Sequence, residues 1–125
     1  MLKGNFYTLT AQETSGDTVQ AVALLNASHS IFDGHFPGQP VVPGVCMLQI
    51  VKEMTIDFMG KDLVLRKADT LKFLAVIDPL QTTSVGIQLN FTDREDNTIR
   101  VAGFFSNGTT VYFKFKGTFG TPLPT

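Results

Sequence analysis

The 125-residue chain has one cysteine, no tryptophan and two histidines. A lone Cys46 excludes an intrachain disulfide and suits a reducing compartment. Charge is scarce too: 17% of residues are Asp, Glu, Lys or Arg, the net charge is -1 and the isoelectric point is near 6.0. No basic field is available to attract nucleic acid. Long hydrophobic runs are missing, because the most apolar stretch, 41–59, is broken by Pro43, Gln49, Lys52 and Glu53. It does not read as a membrane span. Met1-Leu2-Lys3-Gly4-Asn5 is followed by strand-like sequence with no apolar leader core, so a cytoplasmic protein is expected. The sequence holds no metal-ligand cluster, phosphate-binding glycine loop or nicotinamide or flavin fingerprint, so no cofactor is expected.

Hydrophobic residues make up 43% of the chain, with eleven phenylalanines, a composition that folds. The length suits one domain over residues 1–125. So few charges on a small domain imply that part of its surface is covered, most simply in a homodimer. Phe6 to Thr10 and Thr18 to Leu25 flank a Ser15-Gly16-Asp17 turn and predict a hairpin. Prolines 37, 40 and 43 keep the stretch from Asp33 to Gly44 extended and rigid. Val45 to Met59 contains neither Pro nor Gly and ends at Gly60, predicting a helix. Its apolar residues surround the helix, except for a stripe of Gln49, Lys52 and Glu53.

Beyond Gly60 the pattern is strand-like: Leu63 to Phe73, an Asp78-Pro79 turn, and alternating Val85, Ile87, Leu89 and Phe91. Thr98 to Phe105 and the alternating Val111, Phe113 and Phe115 follow, joined by an Asn107-Gly108 hairpin signal. From Gly120 on, the tail reads as frayed. A hairpin, one buried helix and three or four further antiparallel strands predict an α+β architecture, with a curved sheet wrapping the helix.

Chemistry concentrates in Gly34-His35-Phe36-Pro37-Gly38-Gln39-Pro40-Val41-Val42-Pro43-Gly44, where a histidine is fixed in a rigid loop just before the helix. Such a setting suits a positioned general base; the plainer reading is a loop histidine bonded to backbone. The segment resembles the Gly-His-Phe-Pro-Gly-x-Pro-(Val)-x-Pro-Gly signature of the hotdog-fold β-hydroxyacyl-acyl-carrier-protein dehydratases. A fainter similarity runs from Asp69 through Phe73 to Asp78-Pro79, where the family has Pro-Gly. The resemblance implies a hotdog fold, a 3-hydroxyacyl thioester of acyl-carrier protein or coenzyme A as substrate, and a site shared across a dimer or larger homo-oligomer. It puts His35 in the role of base at C2 and the Gly44 N–H at the thioester carbonyl, with Phe36 and Val45 beside them as substrate contacts.

One position departs from that pattern. The family's helix acid, which protonates the leaving 3-hydroxyl, falls on Gln49 in this chain. A neutral amide holds a hydroxyl but does not deliver a proton as a carboxylic acid does, and losing a general acid typically costs on the order of 10²–10⁴ in rate. Glu53 follows one helical turn later on the same face and is a candidate displaced acid. Its plainer reading is an ion pair or a solvated helix end. His29, Cys46 and Asp33 read as packing and turn residues. The leading expectation is a dehydratase. The alternatives are an acyl thioesterase using Glu53, or a non-catalytic thioester-binding subunit that forms a heterodimer with an active homologue.

Overall fold

The computed structural model describes residues 1–33 and 40–122. Strands β1 (Tyr7–Ser15) and β2 (Thr18–Leu25) form the expected hairpin, and a 3-10 turn over Ser30–Phe32 leads away from it. Helix α1 (Gly44–Met59) is followed by β3 (Val64–Phe73), β4 (Ser84–Thr92), β5 (Thr98–Asn107) and β6 (Thr110–Gly120). The six strands form one antiparallel sheet in the order β1-β2-β4-β5-β6-β3. This is the α+β hotdog fold, with the sheet curled against α1.

Alternation decides which side chains face the helix. Val19, Ala21 and Ala23 on β2, Val85, Ile87, Leu89 and Phe91 on β4, and Phe113, Phe115 and Phe119 on β6 are all buried. Phe105 joins them, whereas Phe104, one residue earlier, turns to the outer face and is only half-buried. From the helix come Cys46, Met47, Ile50, Val51, Met54 and Met59. The Phe58 ring stacks on Phe91 at 4.1 Å between centroids. Gly60 closes α1 with φ 72°, the left-handed geometry that disfavours side chains, and its N–H donates to the Ile56 carbonyl at 2.8 Å.

The helix is buried on most sides, as its apolar pattern predicts, with Val45 74% exposed. Two other expectations are corrected. The polar stripe of α1 is split: Gln49 and Lys52 are half-buried and Glu53 is fully buried. Gly120 and Thr121 are not frayed, because Gly120 pairs with both Thr98 and Val64, and the Thr121 N–H donates to the Asn97 carbonyl at 2.9 Å; residues 123–125 lie outside the described residues. Strand partners on both sides extend β6 past the point where its sequence looks like a terminus.

Strand β3 is a sheet edge and is exposed along most of its ten residues. Leu71, Phe73, Leu74 and Val76 continue an apolar surface from it towards Val45. No helix among the described residues is long and apolar enough to cross a membrane.

Phe113 is inaccessible and touches the rings of Phe73, Phe105 and Phe115. Phe113→Ala should therefore cost about 3–5 kcal/mol in urea unfolding. Truncating the exposed Leu80 should change stability by no more than about 0.5 kcal/mol. Equal effects from the two variants would contradict the assigned core.

Candidate functional site

His35 and Phe36 lie outside the described residues, but both ends of their loop are fastened. On the entering side Phe32 is buried and its ring packs on Phe6 at 5.6 Å. His29 caps the 3-10 turn by accepting the Ile31 N–H on Nδ1 at 3.0 Å, and it meets Phe6 edge-on. That matches the packing role expected of His29. On the leaving side the Val42 N–H donates to the Ile77 carbonyl at 2.8 Å. Residues 34–39 are therefore flanked by a fixed point on each side, Phe32 and Val42.

Pro43 caps α1 without a side-chain hydrogen bond, and the first turn carries no acidic residue. Among the described residues nothing accepts from the N–H groups of Gly44 and Val45. Unpaired first-turn donors favour negative charge developing nearby. Gly44 also sits under the Phe73 ring, where a Cβ would fall 2.6 Å from Phe73 Cε1. Gly44, Val45, Met47, Leu48, Leu71, Phe73 and Val76 line an apolar groove of about 400 Å³. A groove with that lining suits an acyl chain.

Gln49 and Glu53 are brought together, as their spacing predicts. Gln49 Nε2 donates to Glu53 Oε2 at 2.8 Å. The rest of the arrangement was not visible in the sequence. The Leu2 N–H donates to Oε2 at 2.8 Å, the Lys3 N–H to Oε1 at 2.9 Å, and the Tyr7 hydroxyl to Oε1 at 3.0 Å. Each carboxylate oxygen thus accepts two hydrogen bonds inside a site with no exposure. Neither plain reading of Glu53 applies: its partners are neutral donors, and it is not at a solvated end.

Burial alone would raise the Glu53 carboxyl, but the donors from Leu2, Gln49, Lys3 and Tyr7 outweigh it and hold it below its usual range. The Tyr7 phenol moves the opposite way, raised by burial and by the adjacent Glu53 charge, so it stays protonated and donates. Burial also raises the Cys46 thiol, which leaves it a poor nucleophile. The resting state of Glu53 is an ionised acceptor, opposite to what a general acid requires. Leu2, Lys3 and Tyr7 escaped sequence reasoning because they lie 46 to 51 positions away and two of them act through backbone N–H groups.

Gln49 lines a cavity of about 450 Å³ with Met1, Leu2, Ile31, Val45 and Cys46. Its walls come from the lead-in to the histidine loop, the first turn of α1 and the N-terminal residues. Val45 also borders the apolar groove and forms a ridge between the two spaces. An apolar channel, helix N–H groups with no acceptor among the described residues, and a polar amide therefore adjoin the fixed ends of the segment that carries His35.

Comparison with known proteins gives a consistent family. The family model for ApeI-like proteins, described as ApeI dehydratase, matches residues 11–109. The chain is 32% identical over 96 residues to the 3-hydroxyacyl-[acyl-carrier-protein] dehydratase FabZ of Shewanella woodyi, a match covering 74% of this chain and 63% of that protein. It thus spans less than two-thirds of the relative's length. The dehydratase heterocomplex ApeI:P of Xenorhabdus doucetiae superposes with a TM-score of 0.73 at 16% identity, covering 91% of this chain and 97% of that one. A thioesterase from Haemophilus influenzae gives 0.64 at 12% identity, covering 91% and 76%. At such identities the structural matches establish the fold alone.

Glu53→Gln leaves an amide NH₂ facing donors and should cost about 2–4 kcal/mol at neutral pH. A depressed carboxyl stabilises the fold above its unfolded value near 4.3, and that stability is lost as pH falls through the lower folded value. The gap between wild type and variant, read from urea midpoints, should be full above about pH 5 and shrink below about pH 4. A gap independent of pH across that range would contradict an ionised Glu53.

Proposed function

The chain belongs to the ApeI-like dehydratase family, and on that premise we propose that it removes water from a 3-hydroxyacyl thioester to give the trans-2-enoyl thioester. The observation that carries the reading is the shared cavity, where Gln49, the first turn of α1 and the lead-in to the His35 loop meet beside an apolar groove. In this reading the acyl chain lies in the groove and the thioester carbonyl faces the N–H of Gly44. The His35 imidazole takes the C2 proton, and the helix N-terminus stabilises the enolate charge that builds on the carbonyl oxygen. Gln49 holds the 3-hydroxyl as the C3–O bond breaks. With Glu53 ionised, the leaving hydroxyl takes its proton back from the His35 imidazolium, so one group serves as base and then as acid and water is the balanced product. Phe36 and Val45 flank the reacting atoms.

In this reading the substrate's carrier is acyl-carrier protein or coenzyme A, in fatty-acid or polyene-type synthesis; acyl-carrier protein is the carrier that the FabZ relative's name gives for that protein. The working form is a homodimer or larger homo-oligomer. Its support is the open edge of β3 and the exposed Val45, Leu71, Phe73 and Val76, which a second hotdog chain would cover. One observation favours a second reading. Gln49 replaces the family acid and Glu53 is engaged by four donors, so a homologous partner contributing a carboxylic acid would complete the site. A thioesterase has less support, since the carboxylate it needs is buried and fully bonded.

The purified chain, given a short 3-hydroxyacyl-carrier-protein thioester, should produce the trans-2-enoyl product, and His35→Ala should abolish it. Turnover by that variant would refute the mechanism. Gln49→Glu places a second carboxyl beside ionised Glu53, where like charge raises its pKa, and should speed dehydration by about 10²-fold or more. An unchanged or slower rate would show that proton delivery at position 49 is not limiting. Inactivity of a folded wild-type dimer, relieved by a homologous hotdog chain, would favour the heterodimer.

A further inference from the structure

Glu53 makes no contact with substrate in the scheme above, yet it determines how the Gln49 amide points. An ionised carboxylate only accepts hydrogen bonds, so the Gln49 NH₂ must turn towards Glu53 Oε2, 2.8 Å away. A free glutamine flips its amide and donates as readily as it accepts. Here the flip would put Gln49 Oε1 against Oε2 with no proton between them. Glu53 cannot swing aside either, because Leu2, Lys3 and Tyr7 hold both of its oxygens. No described residue donates to Gln49 Oε1. Among the described residues no buried side-chain oxygen lacks a partner. Gln49 borders two spaces, one shared with Lys52, Glu53 and Ile56 and the other with Ile31, Val45 and Cys46; its NH₂ is turned to the Glu53 side, which leaves Oε1 for the other.

We infer that Glu53 is a positioning residue that locks the Gln49 amide with its carbonyl oxygen towards the cavity, making the site a selector for acyl chains that carry a hydroxyl donor at C3. The identity of the ligand rests on the function proposed above; the lock does not. A 3-hydroxyl gives its proton to Oε1. A 3-ketone brings lone pairs against lone pairs, and a saturated chain offers Oε1 no donor in place of solvent. The site therefore accepts the product of a ketone-reducing step and discriminates against that step's substrate and against the fully saturated chain. The N-terminal residues belong to the selector, since two of the four bonds that hold Glu53 come from the backbone of Leu2 and Lys3.

The test measures binding of 3-hydroxyacyl, 3-ketoacyl and saturated acyl pantetheine thioesters of equal length to the full chain carrying His35→Ala, which blocks turnover. The hydroxyacyl form should bind about 10-fold more tightly than the other two. Adding Glu53→Gln should reduce that preference to about 2-fold or less, because the Gln49 amide can then flip. The reversed pair, Gln49→Glu with Glu53→Gln, should restore it, since a carboxylate at 49 is again an acceptor held by an amide at 53. A purely structural Glu53 would leave the preference unchanged in every variant that folds, and that result would overturn the inference. Nitrogen-15 NMR of the wild-type chain tests the lock without substitution. The Gln49 side-chain protons should exchange far more slowly than those of the exposed Gln12, and equal exchange would overturn it. If no thioester binds while the Gln49 protons stay slow, the proposed function and the selector role fail together and the lock alone stands.

Discussion

A carboxylate with no solvent contact must be satisfied from within the protein, and meeting that requirement for Glu53 organises one end of this molecule. Removing a carboxylate from water costs several kcal/mol even after the protein relaxes. Four donors to a charged acceptor, each contributing about 1.5–3 kcal/mol, are enough to offset that cost and keep the charge. They come from three parts of the chain: the N-terminal residues Leu2 and Lys3, Tyr7 at the start of β1, and Gln49 on α1. One side chain therefore ties the first strand and the N-terminus to the central helix at the level of the candidate site. Lys3 adds an exposed ion pair to Asp57, which contributes little beside the buried bonds.

The same constraint shapes the chemistry. A residue held as an ionised acceptor is a poor general acid, and its neighbour Gln49 is an amide at the position where the dehydratase resemblance implies an acid. The polar part of the site is an amide turned by an ionised carboxylate, while the groove beneath Phe73 and the first turn of α1 offer an apolar channel and N–H donors with no acceptor among the described residues. Under the proposed function, recognition and charge stabilisation fall to the described residues, and proton transfer to His35 or to a second chain.

Much of the fold could be read from the sequence, because its signals are local. Alternation in β4 and β6, the Asn107-Gly108 turn and the Gly60 stop each specify their element without outside help. Strand order was not legible, since the placement of β3 beyond β6 depends on partners forty or more residues apart in sequence. The pairing of Gln49 with Glu53 was legible from helical spacing. The fate of Glu53 was not: its burial is set by backbone N–H groups near the N-terminus, and backbone donors leave no trace in residue identity. The partial exposure of α1 at Val45 was also unreadable, because an apolar residue on an open face looks the same in sequence as one in the core.

The central claim is that Glu53 is an ionised anchor and not the site's proton donor. Carbon-13 NMR of the Glu53 side-chain carboxyl, followed through a pH titration of the folded chain, tests it most directly. The account predicts that the resonance stays in its ionised position on acidification and moves only below the usual glutamate value of about 4.3. A midpoint near 6 or above would make Glu53 a carboxylic acid at working pH, and would return it to the role of displaced general acid.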